Sequence, residues 1–192
     1  MAMPDTEKYR KKIITLPNIL SFFRICLIPV IVWLYCVKKD YLLTTLVLIL
    51  SAITDIADGI IARHYGMISD FGKAFDPIAD KLTQFAMLLC LTFRFRLMAI
   101  PAAVLFVKEI SAGIMSLMAI HRSGEVEGAD WHGKVSTALL YGTMILHLIW
   151  FNIPAAISTS LIIICTAMML LSAVLYAIRN LSAISSGKEA NI

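Results

Sequence analysis

The 192 residues suffice for one domain, and at 59% hydrophobic and only 16% charged they exclude a small water-soluble one, most of which would be surface. The formal net charge of +4 comes from 17 basic and 13 acidic residues, and Lys8, Arg10, Lys11 and Lys12 cluster ahead of the first apolar run. That placement suits a cytoplasmic N-terminus beside an anionic leaflet and speaks against a nucleic-acid partner.

Apolar runs near the spanning length of about 20 residues recur along the chain. They predict an all-α integral membrane protein with six transmembrane helices, at about residues 17–37, 41–62, 74–93, 97–120, 134–151 and 154–178. The first run is too long for a signal-peptide core and is interrupted by Asn18, Ser21 and Arg24, so it is expected to be retained. Within it Pro17 suits an entry turn, Asn18 a helix cap and Pro29 a kink. Arg24 is open between two roles, snorkelling to the headgroups or standing near a site. Lys38-Lys39-Asp40 makes the turn into the second span, Arg94 and Arg96 mark the turn after the third, and Phe151-Asn152-Ile153-Pro154 joins the last two. No repeat, linker or low-complexity tract divides the chain, so residues 1–192 read as a single domain.

An even number of spans puts both termini on one side. That side also receives Arg63, Lys73, Arg122, Lys134, Arg179 and Lys188, against Lys38, Lys39, Arg94 and Arg96 opposite, so both termini are expected in the cytoplasm. Cys26, Cys36, Cys90 and Cys165 lie in apolar stretches without metal-like spacing. They read as small buried hydrophobes rather than disulfide or zinc partners.

The chemistry concentrates where the second span ends and the third begins. Asp55 and Asp58 are three apart and Asp76 and Asp80 four apart, so each pair shares a helix face, and the short connection 64–71 folds one pair toward the other. Four converging carboxylates repel, and burying them without compensation costs several kcal/mol each. Hard divalent cations with oxygen ligands resolve this, magnesium in particular where substrate phosphates complete the shell. Ion pairs with Arg63, Lys73 and Lys81, or the lining of a cation path through a transporter, are the other readings of the same acids. Gly59 and Ala62 clear a helix surface, Arg63 offers a fork for phosphate, and Gly72 permits close backbone approach. These details favour a phosphate ligand.

The run Asp55-x2-Asp58-Gly59-x2-Ala62-Arg63-x8-Gly72-x3-Asp76-x3-Asp80 resembles the complete signature of the CDP-alcohol phosphatidyltransferase family. The resemblance implies two magnesium or manganese ions held by Asp55, Asp58, Asp76 and Asp80. It also implies a CDP-linked lipid, CDP-diacylglycerol, with its nucleotide near Gly59, Ala62 and Gly72 and its phosphates at Arg63. An acceptor hydroxyl would attack the lipid-side phosphorus and CMP would leave. The general base would be Asp80, an assignment that rests on the resemblance, since spacing alone allows Asp76 equally. A homodimer in a bacterial-type plasma membrane, with a cytoplasmic active site, is implied in the same way.

The stretch Leu16-Pro17-Asn18-Ile19-Leu20-Ser21-x2-Arg24-x3-Ile28-Pro29 resembles the opening of family members whose acceptor is glycerol 3-phosphate, and of those that use phosphatidylglycerol. Lys108 and Glu109 lie in mid-span, where a charged pair must face the protein interior, as a structural ion pair or as an acceptor contact. Relatives of the glycerol 3-phosphate type usually carry Arg-Glu there, so Lys108 keeps the charge and loses the fork. Gly133-Lys134-Val135-Ser136-Thr137 resembles the family's Gly-Lys-x-Lys-Thr, with Ser136 in place of the second lysine. Lys108, Arg122 and Lys134 are the candidate acceptor-binding cations. Trp131 and His132 read as an interfacial belt, and His64, Tyr65 and His147 as local packing or interface residues.

Overall fold

The computed structural model describes residues 15–65, 70–123 and 131–189; the side chains of Ala62, Arg63, Lys73, His121 and Arg122, and all of the basic cluster Lys8 to Lys12, lie outside the described residues. The described residues are helical almost throughout. Six long helices follow one another: α1 (Leu16–Trp33), α2 (Tyr41–Tyr65), α3 (Asp70–Thr92), α4 (Ala99–Ser123), α5 (Trp131–Ile149) and α6 (Ala155–Glu189). The chain forms two compact units, Met1–Cys90 and Leu91–Ile192.

In the first unit α1 packs along α2. The cap of α1 differs from expectation. Thr15, in extended conformation, accepts the Asn18 backbone N–H at 3.4 Å, and Pro17 sits in the first turn where its missing N–H is harmless. Asn18 is therefore a buried first-turn residue instead of the cap. The helix runs through Pro29 and widens into a π-helical turn over Leu34–Lys38, which Lys39 closes in the left-handed region at φ 54°. Asp40 then caps α2, its carboxylate accepting the Leu43 N–H at 2.9 Å.

In the second unit α4 and α5 both pack on α6. The Arg94 guanidinium donates to the Phe151 carbonyl and lies 3.7 Å from the Phe151 ring centroid, so the turn before α4 holds the turn before α6. His147 is buried on α5, its Nδ1 2.7 Å from the Thr143 carbonyl and its Nε2 2.9 Å from the Ser158 hydroxyl. His132 also turns inward, to Ser172 on α6 at 3.1 Å, whereas Trp131 beside it is exposed as an interfacial residue should be. His132 thus leaves the expected belt.

The distribution of side chains is that of a protein whose solvent is lipid. Phe22, Leu42, Ile60, Phe93, Ile163 and Val174 are exposed, while Ser21, Arg24, Thr44, Thr45, Ser51, Asp58, Thr83 and Gln84 are buried. Polar groups turn inward because nothing in the hydrocarbon can satisfy them. Among the described residues, four helices are long and apolar enough to cross a membrane, over Asn18–Lys38, Tyr41–Ile61, Arg96–Ile114 and Ala155–Arg179. This makes the chain a multi-pass membrane protein.

Helices α3 and α5 stand where the sequence predicts spans three and five, but their own composition is too polar to qualify. Asp76, Asp80 and Lys81 fall in the first half of α3, and His132, Lys134, Ser136, Thr143 and His147 punctuate α5. The cysteines also divide. Cys90 and Cys165 are buried as expected, but Cys26 and Cys36 are exposed, and all four are free thiols.

Candidate active site

The site is built in the first unit from one face of each of three helices. On α1 the buried positions Asn18, Ser21, Arg24 and Ile31 recur at helical spacing. On α2 the stripe Thr44, Leu48, Ser51 and Asp58 does the same, and it carries Asp55 one turn before Asp58. On α3 the inward face includes Ala79, Thr83, Gln84 and Met87, with Asp76 and Asp80 at its polar end. The residues that carry the charge are thus extensions of the packing stripes.

Arg24 is the centre of the cluster. Its Nη1 lies 2.6 Å from Asp55 Oδ1 and its Nη2 2.5 Å from Asp58 Oδ2, so one guanidinium spans both acids of α2. The Arg24 side chain is 0% exposed and Asp58 3%, whereas Asp55 is 40% exposed and faces the open side of the site. The Ser21 hydroxyl is placed between helices, donating to Asp76 Oδ1 and lying 3.4 Å from Asp58 Oδ2. Asp55, Asp58 and Asp76 are therefore drawn together by two side chains of α1. The fourth acid, Asp80, accepts from Gln84 Nε2 at 2.7 Å and has Lys81 Nζ at 3.8 Å.

This arrangement settles one expectation and adds to the others. Arg24 does not snorkel to the headgroups; it turns inward to the acids. Ser21 and Gln84 are site residues that the sequence reading passed over. A signal for Ser21 was present, because Asn18, Ser21 and Arg24 are polar at intervals of three in an otherwise apolar run. A matching one existed for Gln84, which continues Asp76 and Asp80 at intervals of four. Gly59 is half-buried on α2 and Gly72 buried on α3. The side chains of Ala62, Arg63 and Lys73 lie outside the described residues.

The donor set suits a hard divalent cation, since Asp55, Asp58, Asp76 and Asp80 supply only carboxylate oxygens, and the described cations in contact with them are Arg24 and Lys81. No group of three or more Asp, Glu, His or Cys stands at metal-holding spacing among the described residues. Here a guanidinium and a hydroxyl hold the carboxylates.

The remaining candidates belong to the second unit. Lys108 Nζ is 3.5 Å from Glu109 on α4, the ion pair that a charged mid-span residue requires. Lys108 also lines a cavity of about 430 Å³ between α4 and α6, otherwise walled mainly by apolar side chains such as Val104, Val107, Leu170 and Val174. Lys134 is exposed near the start of α5 and is not part of that lining. Ser136, where relatives place a second lysine, is buried.

A family model described as CDP-alcohol phosphatidyltransferase matches residues 14–178. The chain is 37% identical over 108 residues to a Rickettsia typhi protein named CDP-diacylglycerol–glycerol-3-phosphate 3-phosphatidyltransferase, a match covering 55% of this chain and 61% of that protein. The chain thus spans about three-fifths of the length of the Rickettsia relatives it matches. It is 30% identical over 157 residues to a Mycobacterium tuberculosis protein named probable phosphatidylglycerophosphate synthase, covering 77% of this chain and 74% of that one. An Arabidopsis thaliana protein named CDP-diacylglycerol–glycerol-3-phosphate 3-phosphatidyltransferase 2 is 30% identical over 139 residues, 66% of this chain and 60% of its own length.

Proposed function

This chain belongs to the CDP-alcohol phosphatidyltransferase family, and from that premise we propose that it transfers the phosphatidyl group of CDP-diacylglycerol to glycerol 3-phosphate, forming phosphatidylglycerophosphate and releasing CMP. The observation that carries this reading is the convergence of Asp55, Asp58 and Asp76 on Ser21 and Arg24, beside Asp80, within a lipid-facing helical unit. The names of the Rickettsia and Mycobacterium relatives supply the acceptor.

In this reading Asp55, Asp58, Asp76 and Asp80 would hold two magnesium or manganese ions, which neutralise the pyrophosphate and stabilise the charge developing at phosphorus. Gly59, Ala62 and Gly72 leave room for the nucleotide, and Arg63 pairs with the phosphates. Asp80 takes the proton of the acceptor hydroxyl as its oxygen bonds to the lipid-side phosphorus and the bond to the CMP oxygen breaks. Gln84 orients Asp80 for this by donating its amide N–H to one carboxylate oxygen. Lys108, Arg122 and Lys134 bind the acceptor phosphate. The six helices are six spans of one domain in a bacterial-type plasma membrane, with both termini and the site in the cytoplasm and a second copy as partner.

One observation favours a second acceptor. Lys108 faces a mainly apolar cavity, and a buried serine replaces a lysine at position 136, so the second unit presents less cation and more apolar wall than a small dianion needs. Phosphatidylglycerol, a phosphodiester with long chains, suits that wall better and would yield cardiolipin. Purified protein given labelled CDP-diacylglycerol and each acceptor in turn tests both readings, with the lipid product identified by mass. Absence of glycerol 3-phosphate-dependent CMP release rejects the first; a cation-coupled transporter, which the acids alone would allow, releases no CMP with any acceptor.

A further inference from the structure

A divalent cation and a buried guanidinium compete for the same carboxylate oxygens, because their charges repel at contact distance. Asp55 Oδ1 and Asp58 Oδ2 are both taken by Arg24, at 2.6 and 2.5 Å. Arg24 is fully buried, 0% exposed, and its Nε and Nη1 find no hydrogen-bond partner among the described residues, so Nη1 meets Asp55 as an ion pair only. Its hold therefore rests on the ion pairs with the two acids. Ser21, by contrast, is neutral and opposes no cation at Asp76.

Resting on the two-ion reading above, we propose that Arg24 is the built-in counter-cation of the metal-free site. It keeps Asp55 and Asp58 together and partly neutralised while no divalent ion is bound, and it yields their oxygens when one arrives. A buried acid pair needs a compensating charge in every state of the protein, since an uncompensated one is strongly disfavoured. A +2 ion and the guanidinium repel at contact distance, so the two occupancies exclude or weaken each other. Arg24 is then a positioning residue that sets the metal affinity of the site. It makes the empty protein foldable at the expense of tighter ion binding.

The test uses the purified full chain in detergent, with Mn²⁺ as probe. Mn²⁺ uptake is followed by the loss of its free-ion paramagnetic resonance signal, and unfolding temperature is measured in chelator and in excess Mn²⁺. In chelator, R24M is expected to unfold roughly 5 °C or more below wild type, a shift of one to a few kcal/mol for a chain of this size. Excess Mn²⁺ restores it, and R24M binds Mn²⁺ about tenfold or more tighter than wild type, the counterpart of about 1.4 kcal/mol of lost competition. In a D58N background, R24M lowers the unfolding temperature in chelator by clearly less, because only the more exposed Asp55 is then left to balance. R24K, which keeps the charge without the fork, is expected to bind Mn²⁺ about threefold tighter and supplies the comparison should R24M not fold. Wild-type Mn²⁺ binding that is lost in D58N but unchanged or weaker in the Arg24 variants overturns the proposal and leaves the two-ion reading standing. No Mn²⁺ uptake by wild type or by either Arg24 variant overturns both.

Discussion

Arg24 Nη2 and Asp58 Oδ2 stand 2.5 Å apart across 34 residues of sequence, both side chains buried, and this pair joins α1 to α2 at the site. Such a pair adds little net stability over well-packed apolar residues, because both ions were desolvated to make it. Breaking one side of it is a different matter, at about 3–5 kcal/mol, because the other charge stays buried alone. A protein that keeps this arrangement in a low-dielectric setting needs the charges for something besides folding.

The first expectation concerns metal. CMP release by the purified protein is lost in excess chelator and returns with Mg²⁺ or Mn²⁺, because Asp55, Asp58, Asp76 and Asp80 supply hard oxygen ligands next to a substrate pyrophosphate. A radiolabel assay with and without chelator measures this directly. Full turnover in metal-stripped protein rules out the two-ion account.

Asp80→Asn is expected to lower turnover by about 10²–10⁴-fold, the range of a positioned general base, while binding of CDP-diacylglycerol stays close to wild type. Asp58→Asn should damage both metal affinity and turnover. Retention of more than a few per cent of activity by D80N at saturating metal would remove Asp80 from the role of base.

Ser21→Ala removes the hydroxyl that donates to Asp76 and approaches Asp58. Loss of a hydrogen bond to a charged group costs about 1.5–3 kcal/mol, so roughly a tenfold or larger fall in turnover is expected, with weaker Mn²⁺ binding alongside. Measuring both separates this from simple instability. A variant with a lowered unfolding temperature and unaltered metal affinity assigns Ser21 to packing alone.

Lys134→Ala distinguishes the acceptors. With glycerol 3-phosphate its half-saturating concentration should rise more than tenfold, an effect of about 1.4 kcal/mol or more, while that for CDP-diacylglycerol changes little. With phosphatidylglycerol, which arrives laterally in the membrane, the same change should be mild and glycerol 3-phosphate should not compete. Initial-rate kinetics with each acceptor decide between them.

His147→Ala tests the second unit independently of catalysis. The imidazole bridges the Thr143 carbonyl and the Ser158 hydroxyl, and the ring of Phe95 packs edge-on at 4.8 Å. Its removal leaves a buried hydroxyl and a void, for an expected loss of about 1–3 kcal/mol seen as a lower unfolding temperature.

Much of this protein follows from its sequence alone. Helix positions are legible in the apolar runs and in turns such as Lys38-Lys39-Asp40, Arg94 with Arg96, and Phe151 to Pro154, because local hydrophobicity and turn chemistry act within a few residues. The spacing of Asp55, Asp58, Asp76 and Asp80 is likewise local, and it marks the site without reference to any other element. Tertiary structure alone decided what meets those acids. Whether Arg24 rises to the headgroups or turns to Asp58 depends on how α1 is rotated against α2, and that rotation is set by packing along the whole interface. Ser21 reaches Asp76 across 55 residues and His132 reaches Ser172 across 40, contacts that no local pattern encodes. The physical reason is that a bilayer leaves every buried polar group to find its partner inside the protein, and only the packed helices determine which partner is within reach.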